Sequence, residues 1–316
     1  MNAESAPSDR LSGAEADRSG GDRETVDNPA PASPSANRPA RYPPQDHILR
    51  HLRLSHQMTG DGTLTATMPI LDDLADRPLA DGGWLRLGAV ATLVDSVAGH
   101  HAVLQVTPDW SATLHLSTVL AARAEGSLAI ARCSPLRVGR NQVVTETSVT
   151  DEAGTEIARS TCTYARLPRR DDTPVVDSTA RENTVDYRED HELDPRPPLD
   201  DYLRITPVPG EARIELPMHN RIRNSFGSLQ GGASIVVAEV MSTHLAQMND
   251  SSGRPSRCVF ADMHYLAPGR GGPFRVEGEV LASTGHLVTT RTRIFETAGE
   301  TDRLLQTATA TAEYLD

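Results

Sequence analysis

Two segments of the chain are apolar on nearly every side over the length of a long helix. The first predicted helix runs from Gly88 to about Val106, and the second runs from Gly231 to about Met248. A helix that is apolar all round must be buried on all sides. Each predicted helix is followed by four segments of alternating polarity, which predict strands with one buried face. The pattern therefore predicts, twice along the chain, an antiparallel sheet wrapped around one central helix.

The two halves repeat the same landmarks in the same order. Gly88 and Asp95 of the first half correspond to Gly232 and Glu239 of the second, in each case 144 residues later. An alternating strand that ends near a proline precedes each helix, and a threonine-rich alternating strand closes each half. These strand segments are 65–69 and 160–164 in the first half, and 213–217 and 307–311 in the second. Ordered similarity at nearly one offset predicts a duplicated domain.

The domain limits follow from this repeat and from two regions of different composition. Residues 1–45 are poor in large apolar side chains and are predicted to be a disordered tail. An acidic, proline-containing linker is predicted at 168–198, between an N-terminal domain at 46–167 and a C-terminal domain at 199–316. The predicted fold class is α+β. The strands predicted in the first domain are Ala112–Ala121, Ser127–Ser134, Gln142–Thr150 and Glu156–Arg166.

Composition excludes several classes of function. All 31 basic residues are arginine, so lysine-based chemistry such as a Schiff base is excluded. The formal net charge of −12 argues against nucleic acid as a partner. No apolar stretch approaches a membrane span or a secretory signal, so we expect a cytoplasmic protein without a membrane partner. The three cysteines contain no Cys-x-x-Cys pair and are expected to be reduced thiols.

One motif of the second half carries a resemblance to a known family. It begins at Asn224, continues as Gln230-Gly231-Gly232 and reaches an acid at Glu239. This spacing resembles the pattern Asn-x5-His-Gly-Gly-x6-Asp/Glu of the phenylacetyl-CoA thioesterase (PaaI-like) family. The segment 262–268, Asp-Met-His-Tyr-Leu-Ala-Pro, is also similar to the first strand after the helix in that family. The resemblance implies a tandem hotdog fold, an acyl-CoA or acyl-carrier substrate and hydrolysis without a cofactor.

The sequence departs from the family pattern at the motif histidine. Gln230 holds that place in the second half and Arg86 holds it in the first. The first half also lacks the asparagine, because Ala80 stands there. The first motif is therefore the weaker one, and it is identified mainly through the repeat.

The motif residues suit thioester hydrolysis, which needs donors for an oxyanion and a carboxylate to activate water or attack the carbonyl. Gly231 and Gly232 open a helix, whose first N–H groups are free and positively polarised. They are predicted to form an oxyanion site, the alternative being a tight turn. Asp95 and Glu239 each lie among apolar neighbours, which predicts burial and a raised pKa.

Helix geometry predicts that each active site combines residues of both halves. Gly231 and Glu239 are separated by about 12 Å of helix rise, too far for both to act on one carbonyl group. The hotdog family, moreover, forms its sites between paired units. One predicted site therefore joins Asp95 to the second-half motif, and the other joins Glu239 to the first-half motif. The partners are Asn224, Gln230, Gly231 and Gly232 in the first case, and Arg86, Leu87 and Gly88 in the second. We expect the Asp95 site to dominate.

Further candidates are less specific. In the family a serine or threonine often follows the acid by 18 residues, which implies a role for Thr113 beside Asp95. Its counterpart lies near Cys258, which is expected to be a core thiol. Arg140 and Arg223 are candidates for binding CoA phosphates, as are Arg137, Arg221 and Arg270. No metal is expected, because His100 and His244 follow their acids at a spacing that is poor for joint ligation on a helix.

Two other functions remain open from the sequence. The missing motif histidine is compatible with an acyl-CoA-binding or scaffold module that does not catalyse. A hydratase acting on an enoyl thioester is less favoured, because the Asp–His dyad usual in those families is not found. Asn224 is predicted either to cap its loop or to orient water, and the carboxylate to act either as general base or as nucleophile. Further pairing into a homo-oligomer is also open.

Overall fold

The fold is that of a computed structural model, which describes residues 42–58, 63–170, 185–187 and 196–315. Most of the predicted tail, and residues 171–184 and 188–195 of the predicted linker, lie outside the described residues. The domain limits given above stay a prediction. The described segments belong to one compact unit that extends to the C-terminal end of the chain.

Two long helices form the centre of the fold, as the apolar pattern predicts. The α-helices are α1 Ile48–His51, α2 Leu87–Val106, α3 Leu199–Leu203 and α4 Gly231–Asn249. Short 3-10 helices occur at Asp72–Leu74, Leu79–Asp81 and Asn220–Ile222. Helices α2 and α4 match their predicted limits to within one residue at each end. Both are buried along most of their length, because apolar side chains occupy nearly every face.

The strands that follow each central helix show the predicted alternation. In the first half the strands are β1 Ser55–Met58, β2 Leu64–Pro69, β3 Trp110–Leu120, β4 Leu128–Val138, β5 Gln142–Thr150 and β6 Glu156–Leu167, and the predicted linker adds β7 Val185–Asp186. In the second half they are β8 Arg213–Leu216, β9 Ser256–Tyr265, β10 Phe274–Ser283, β11 Leu287–Glu296 and β12 Arg303–Tyr314. The predicted fold class, two hotdog units in tandem, is confirmed.

The described strands form one 12-stranded antiparallel sheet that spans both halves. Its order is β7-β1-β2-β4-β5-β6-β3-β9-β12-β11-β10-β8. From the centre outward, β3-β6-β5-β4-β2 of the first half corresponds strand by strand to β9-β12-β11-β10-β8 of the second. The two halves meet where β3 pairs with β9, with His115 opposite His264 and Val119 opposite Phe260. We call this β3–β9 pairing the central seam.

Helices α2 and α4 pack closely enough to exclude side chains at two positions. A Cβ atom on Gly88 would lie 2.9 Å from the Cα of Val236, and one on Gly232 would lie 2.8 Å from the Cα of Thr92. Real Cβ atoms essentially never come this near to another backbone atom. The repeated glycines therefore let the two helices touch through their backbones, and each helix N-terminus meets the middle of the other helix.

Replacing Gly232 by alanine is expected to lower the free energy of unfolding by about 1–3 kcal/mol, the usual cost of overpacking a close contact. The helix would have to move away from Thr92, because the obstructing atoms include backbone. Urea unfolding measures the loss. Gly285→Ala is the control, because the space around Gly285 is open. Equal unfolding free energies for the two variants would contradict the close packing of α2 on α4.

Helix α2 is long and apolar enough, by length and composition alone, to cross a membrane. Within the fold, however, 67% of the apolar 18-residue stretch of this helix is buried. The central helix of a folded domain passes the same test, so this feature is weak evidence for a membrane span.

Part of the predicted linker forms a short strand. Residues 185–186 form the edge strand β7, with His56 of β1 opposite Val185, and the N–H of Tyr187 donates to the carbonyl of Leu54 at 3.0 Å. The composition of this segment gave no sign of a strand. It pairs because the exposed edge of β1 offers unpaired backbone groups to any extended segment that reaches it.

Candidate active site

The Asp95 carboxylate lies at the N-terminus of helix α4, although Asp95 itself belongs to α2. Its Oδ2 accepts hydrogen bonds from the N–H of Gly232 at 3.1 Å and from Nε2 of Gln230 at 3.2 Å. Its Oδ1 accepts from the hydroxyl of Thr113 at 3.3 Å. The structure therefore brings four of the predicted site residues, contributed by both halves, into direct contact. We call these four residues the Asp95 cluster.

Gln230 has a fixed orientation within this cluster. Its Oε1 accepts the N–H of Ala233 at 2.7 Å, so the side chain caps the start of α4. Because only the oxygen of an amide accepts, the NH2 group must face Asp95. The glutamine thus supplies a neutral donor to the carboxylate at the position where the family pattern has histidine.

The environment of Asp95 raises its pKa to about 6, mainly because the carboxyl group is buried. The hydrogen bonds from Thr113 and Gly232 favour the charged form and limit this rise. A carboxyl group with this pKa is largely ionised at neutral pH and is more basic than an exposed aspartate. These properties suit a general base.

A phenol and a thiol lie near enough to the Asp95 carboxylate for its charge to raise their pKa. The hydroxyl of Tyr265 donates to the carbonyl of Gly231 at 2.9 Å and so holds the first residue of α4. Burial raises the pKa of the Tyr265 phenol and of the Cys162 thiol, and the charge of Asp95 adds to both effects. Tyr265 was not predicted as a site residue. Its place in the family-like segment 262–268 was the one signal that could have identified it.

Gly231 and Gly232 lie directly against the Asp95 carboxylate. A Cβ on Gly231 would lie 2.7 Å from Oδ2 of Asp95, so only glycine allows the carboxylate to come this close. The N–H of Gly232, which we expected to bind a substrate oxygen, donates to Asp95 instead. This contact disfavours the predicted oxyanion role for Gly232, because an anionic side chain from the other half already occupies that donor.

Asn224 caps the loop that precedes α4. Its Oδ1 accepts the N–H groups of Phe226 at 3.0 Å and Ser228 at 2.9 Å. Of the two predicted roles, the structure shows the loop cap. The capped loop places the Phe226 ring edge-on to Trp110 at the start of β3, with ring centroids 5.0 Å apart. This aromatic pair links the motif loop to the other half.

At the second predicted site, Glu239 and Arg86 form a buried ion pair. Oε2 of Glu239 accepts the N–H of Gly88 at 3.2 Å and lies 3.4 Å from Nε of Arg86. Nη1 of Arg86 lies 2.5 Å from Oδ1 of Asp200. Burial raises the pKa of Glu239, while the positive charge of Arg86 opposes this rise. The Arg86 guanidinium is engaged by two carboxylates, and the Gly88 N–H by one, which disfavours the substrate-binding roles predicted for both residues.

The remaining candidates lie outside these two clusters. Arg140 is exposed in the turn between β4 and β5, at the end of the sheet where β3 begins. Nη1 of Arg223 donates to the carbonyl of Gly227 at 3.3 Å. Cys258 is buried, and burial together with the charge of Glu239 raises its thiol pKa. Its Sγ donates to the carbonyl of Phe260 at 3.4 Å, whereas Thr113 at the corresponding place of the first half donates to Asp95.

The fold and the Asp95 cluster together define a tandem hotdog protein in which a buried aspartate is held at a helix N-terminus. No family model and no curated protein matches the chain. An acyl-ACP thioesterase from Bacteroides thetaiotaomicron is similar in structure over 79% of this chain and 97% of its own, with TM-score 0.52 and 13% identity. An acyl-CoA thioesterase II from Mycobacterium marinum matches over 85% and 98%, with TM-score 0.53 and 12% identity. At these identities the likeness establishes the fold.

Proposed function

We propose that the protein hydrolyses acyl thioesters of coenzyme A or of an acyl carrier, in the manner of the PaaI-like hotdog thioesterases. One observation carries the proposal: a buried carboxylate with a raised pKa, Asp95, lies at a helix N-terminus together with Gln230 and Thr113. The neighbours of known structure are named as thioesterases of acyl-ACP and acyl-CoA, which supports the same substrate class. The exposed Arg140 is available for the phosphates of CoA.

The proposed reaction uses the two chain halves for different tasks. The thioester carbonyl docks at the N-terminus of α4 beside Gly231, where the positive end of the helix stabilises the developing oxyanion. Asp95 takes a proton from a water molecule while the oxygen of that water attacks the carbonyl carbon. The tetrahedral intermediate then expels the thiolate, and Asp95 returns the proton to that sulfur. The products are a carboxylic acid and a free thiol.

Two measurements test this function. Purified protein is incubated with a panel of acyl-CoAs while free thiol is followed, and release that scales with enzyme supports hydrolysis. Binding without thiol release would instead establish an acyl-CoA-binding module, and addition of water without thiol release would establish a hydratase. Single-turnover reaction in 18O-labelled water then separates the two chemical roles of Asp95. General-base catalysis labels only the product acid, whereas direct attack by the carboxylate forms a mixed anhydride and places label in the protein when water then attacks the Asp95 carbonyl.

The rate of hydrolysis is expected to rise with pH and to level off above about pH 7. The base must be ionised, and burial raises the pKa of Asp95 to about 6, so kcat/KM should fall tenfold per pH unit well below that value. A pH profile of kcat/KM, run with a stability check at each pH, measures the apparent pKa. A profile that stays flat down to pH 4.5 would contradict Asp95 as the base.

A further inference from the structure

A second cluster of ionisable side chains lies on the outer face of the sheet, at the central seam. Nε2 of His115 is 2.9 Å from Oδ2 of Asp262, and Nε2 of His264 is 3.3 Å from Oδ1 of the same carboxylate. The three potential ligand atoms all lie within 4.8 Å of one another. We call these residues the seam cluster. The proposed thioesterase reaction uses none of them.

Backbone pairing fixes the relative positions of the three residues. His115 on β3 lies directly opposite His264 on β9 in the antiparallel ladder. Asp262 precedes His264 by two residues on the same strand, so both project from the same face of the sheet. Neighbouring strands place Thr163 beside His115 and Thr307 beside His264, which brings neutral hydroxyl groups rather than a competing cation to the cluster.

A β-bulge directs His115 outward. Thr113 pairs with the buried Tyr164, whereas His115 pairs with the next residue, Thr163, so Leu114 is the extra residue on β3. Without this bulge, residues 113 and 115 would share one face of the sheet. With it, Thr113 faces Asp95 inside the fold while His115 faces solvent. One short stretch of β3 therefore contributes Thr113 to the Asp95 cluster and His115 to the seam cluster.

The donor set suits a divalent transition-metal ion. Two imidazole nitrogens and one carboxylate oxygen are ligands that zinc accepts, with bond lengths of roughly 2.0–2.2 Å. Donor atoms of a tetrahedral zinc site are then separated by roughly 3.3–3.5 Å. The two histidine–aspartate separations, 2.9 Å to Oδ2 and 3.3 Å to Oδ1, are close to that spacing, and all three ligand atoms lie within 4.8 Å of one another.

We propose that His115, Asp262 and His264 bind one Zn²⁺ ion per chain at the central seam. The ion takes three protein ligands and keeps its remaining position for water, because the three side chains are 26%, 30% and 55% exposed. Each histidine loses its Nε2 proton to solvent when it binds the metal and keeps the proton on Nδ1. The bound ion would join β3 of the first half to β9 of the second.

The test uses tag-free, full-length protein stripped with a chelator and then titrated with zinc chloride by calorimetry. We expect one saturable site in the wild type, and at least tenfold weaker binding in His115→Ala and in His264→Ala. His286→Ala is the matched control, because His286 is exposed and lies in the turn between β10 and β11, outside the cluster. Its zinc affinity should equal that of the wild type.

Two further readouts check the same site. Cobalt(II) in place of zinc should give the visible absorption of a low-coordinate site in the wild type, and this absorption should be lost in His264→Ala. Zinc should raise the melting temperature of the wild type but not that of His115→Ala, since binding to the folded state stabilises it. Absence of saturable zinc binding, or equal affinity in the wild type and both seam variants, would overturn the proposal.

Discussion

Replacing Asp95 by asparagine is expected to lower kcat for thioester hydrolysis by roughly 100- to 10,000-fold, the range that a positioned general base contributes. Asparagine has nearly the same shape and can still accept the N–H of Gly232, but it cannot take a proton from water. Glu239→Gln is expected to retain most of the activity, because Glu239 is held in the ion pair with Arg86. Steady-state kinetics with free-thiol detection compares the two variants.

Because Asp95 and Glu239 hold equivalent positions in the two repeated halves, each variant serves as the control for the other. Both substitutions neutralise a buried acid at equivalent positions of equivalent helices, so a general effect of removing a buried charge would appear in both. Circular dichroism and urea unfolding establish that each variant is folded. A larger loss in Glu239→Gln than in Asp95→Asn would reverse the assignment of the active cluster. Equal activity of the wild type and Asp95→Asn would refute the catalytic role of Asp95.

Replacing Arg86 by methionine is expected to lower the free energy of unfolding by about 3–5 kcal/mol at pH 8, the usual cost of leaving a buried charge without its partner. The side chains of Arg86 and Glu239 are 12% and 5% exposed, so water screens this pair weakly. The loss should be smaller at pH 5, because burial raises the pKa of Glu239 and a proton can then neutralise it. Urea unfolding at both pH values measures the difference.

The double variant Arg86→Met with Glu239→Gln separates the charge from the packing. It removes both members of the pair and should recover much of the stability lost in the single variant, because no unpaired charge remains buried. Asp200 needs little compensation, since its side chain is 32% exposed. A double variant no more stable than Arg86→Met would show that the loss comes from packing of the arginine stem.

The repeated pattern predicted the fold because it is a local property of the chain. Helices α2 and α4 and the alternating strands agree with their predicted limits to within a few residues, since apolar periodicity reports directly which face is buried. The edge strand β7 was missed because its pairing depends on the exposed edge of β1 rather than on its own composition. The local sequence pattern thus identified the helices and strands, whereas the partner of each strand became known only from the structure.

The candidate site shows the same division. Sequence spacing paired Asp95 with Gln230 and the glycines, because helix rise forbids one helix from supplying both the acid and the N-terminus. The spacing could not show that the N–H of Gly232 is occupied by Asp95. Nor could it show that Arg86 is buried between Glu239 and Asp200. Both facts depend on how closely the two helices approach, which the glycines permit but spacing does not measure.

The sequence by itself determined that this chain would build two helices, each wrapped by an antiparallel sheet, and that acids of one half could serve the motif of the other. Only the tertiary structure decided which contacts those groups make. His115 is 147 positions from Asp262, and the two meet because β3 pairs with β9 and because a bulge at Leu114 turns the histidine outward. A contact of this kind depends on strand register and on the side of the sheet, and a one-residue shift reverses that side.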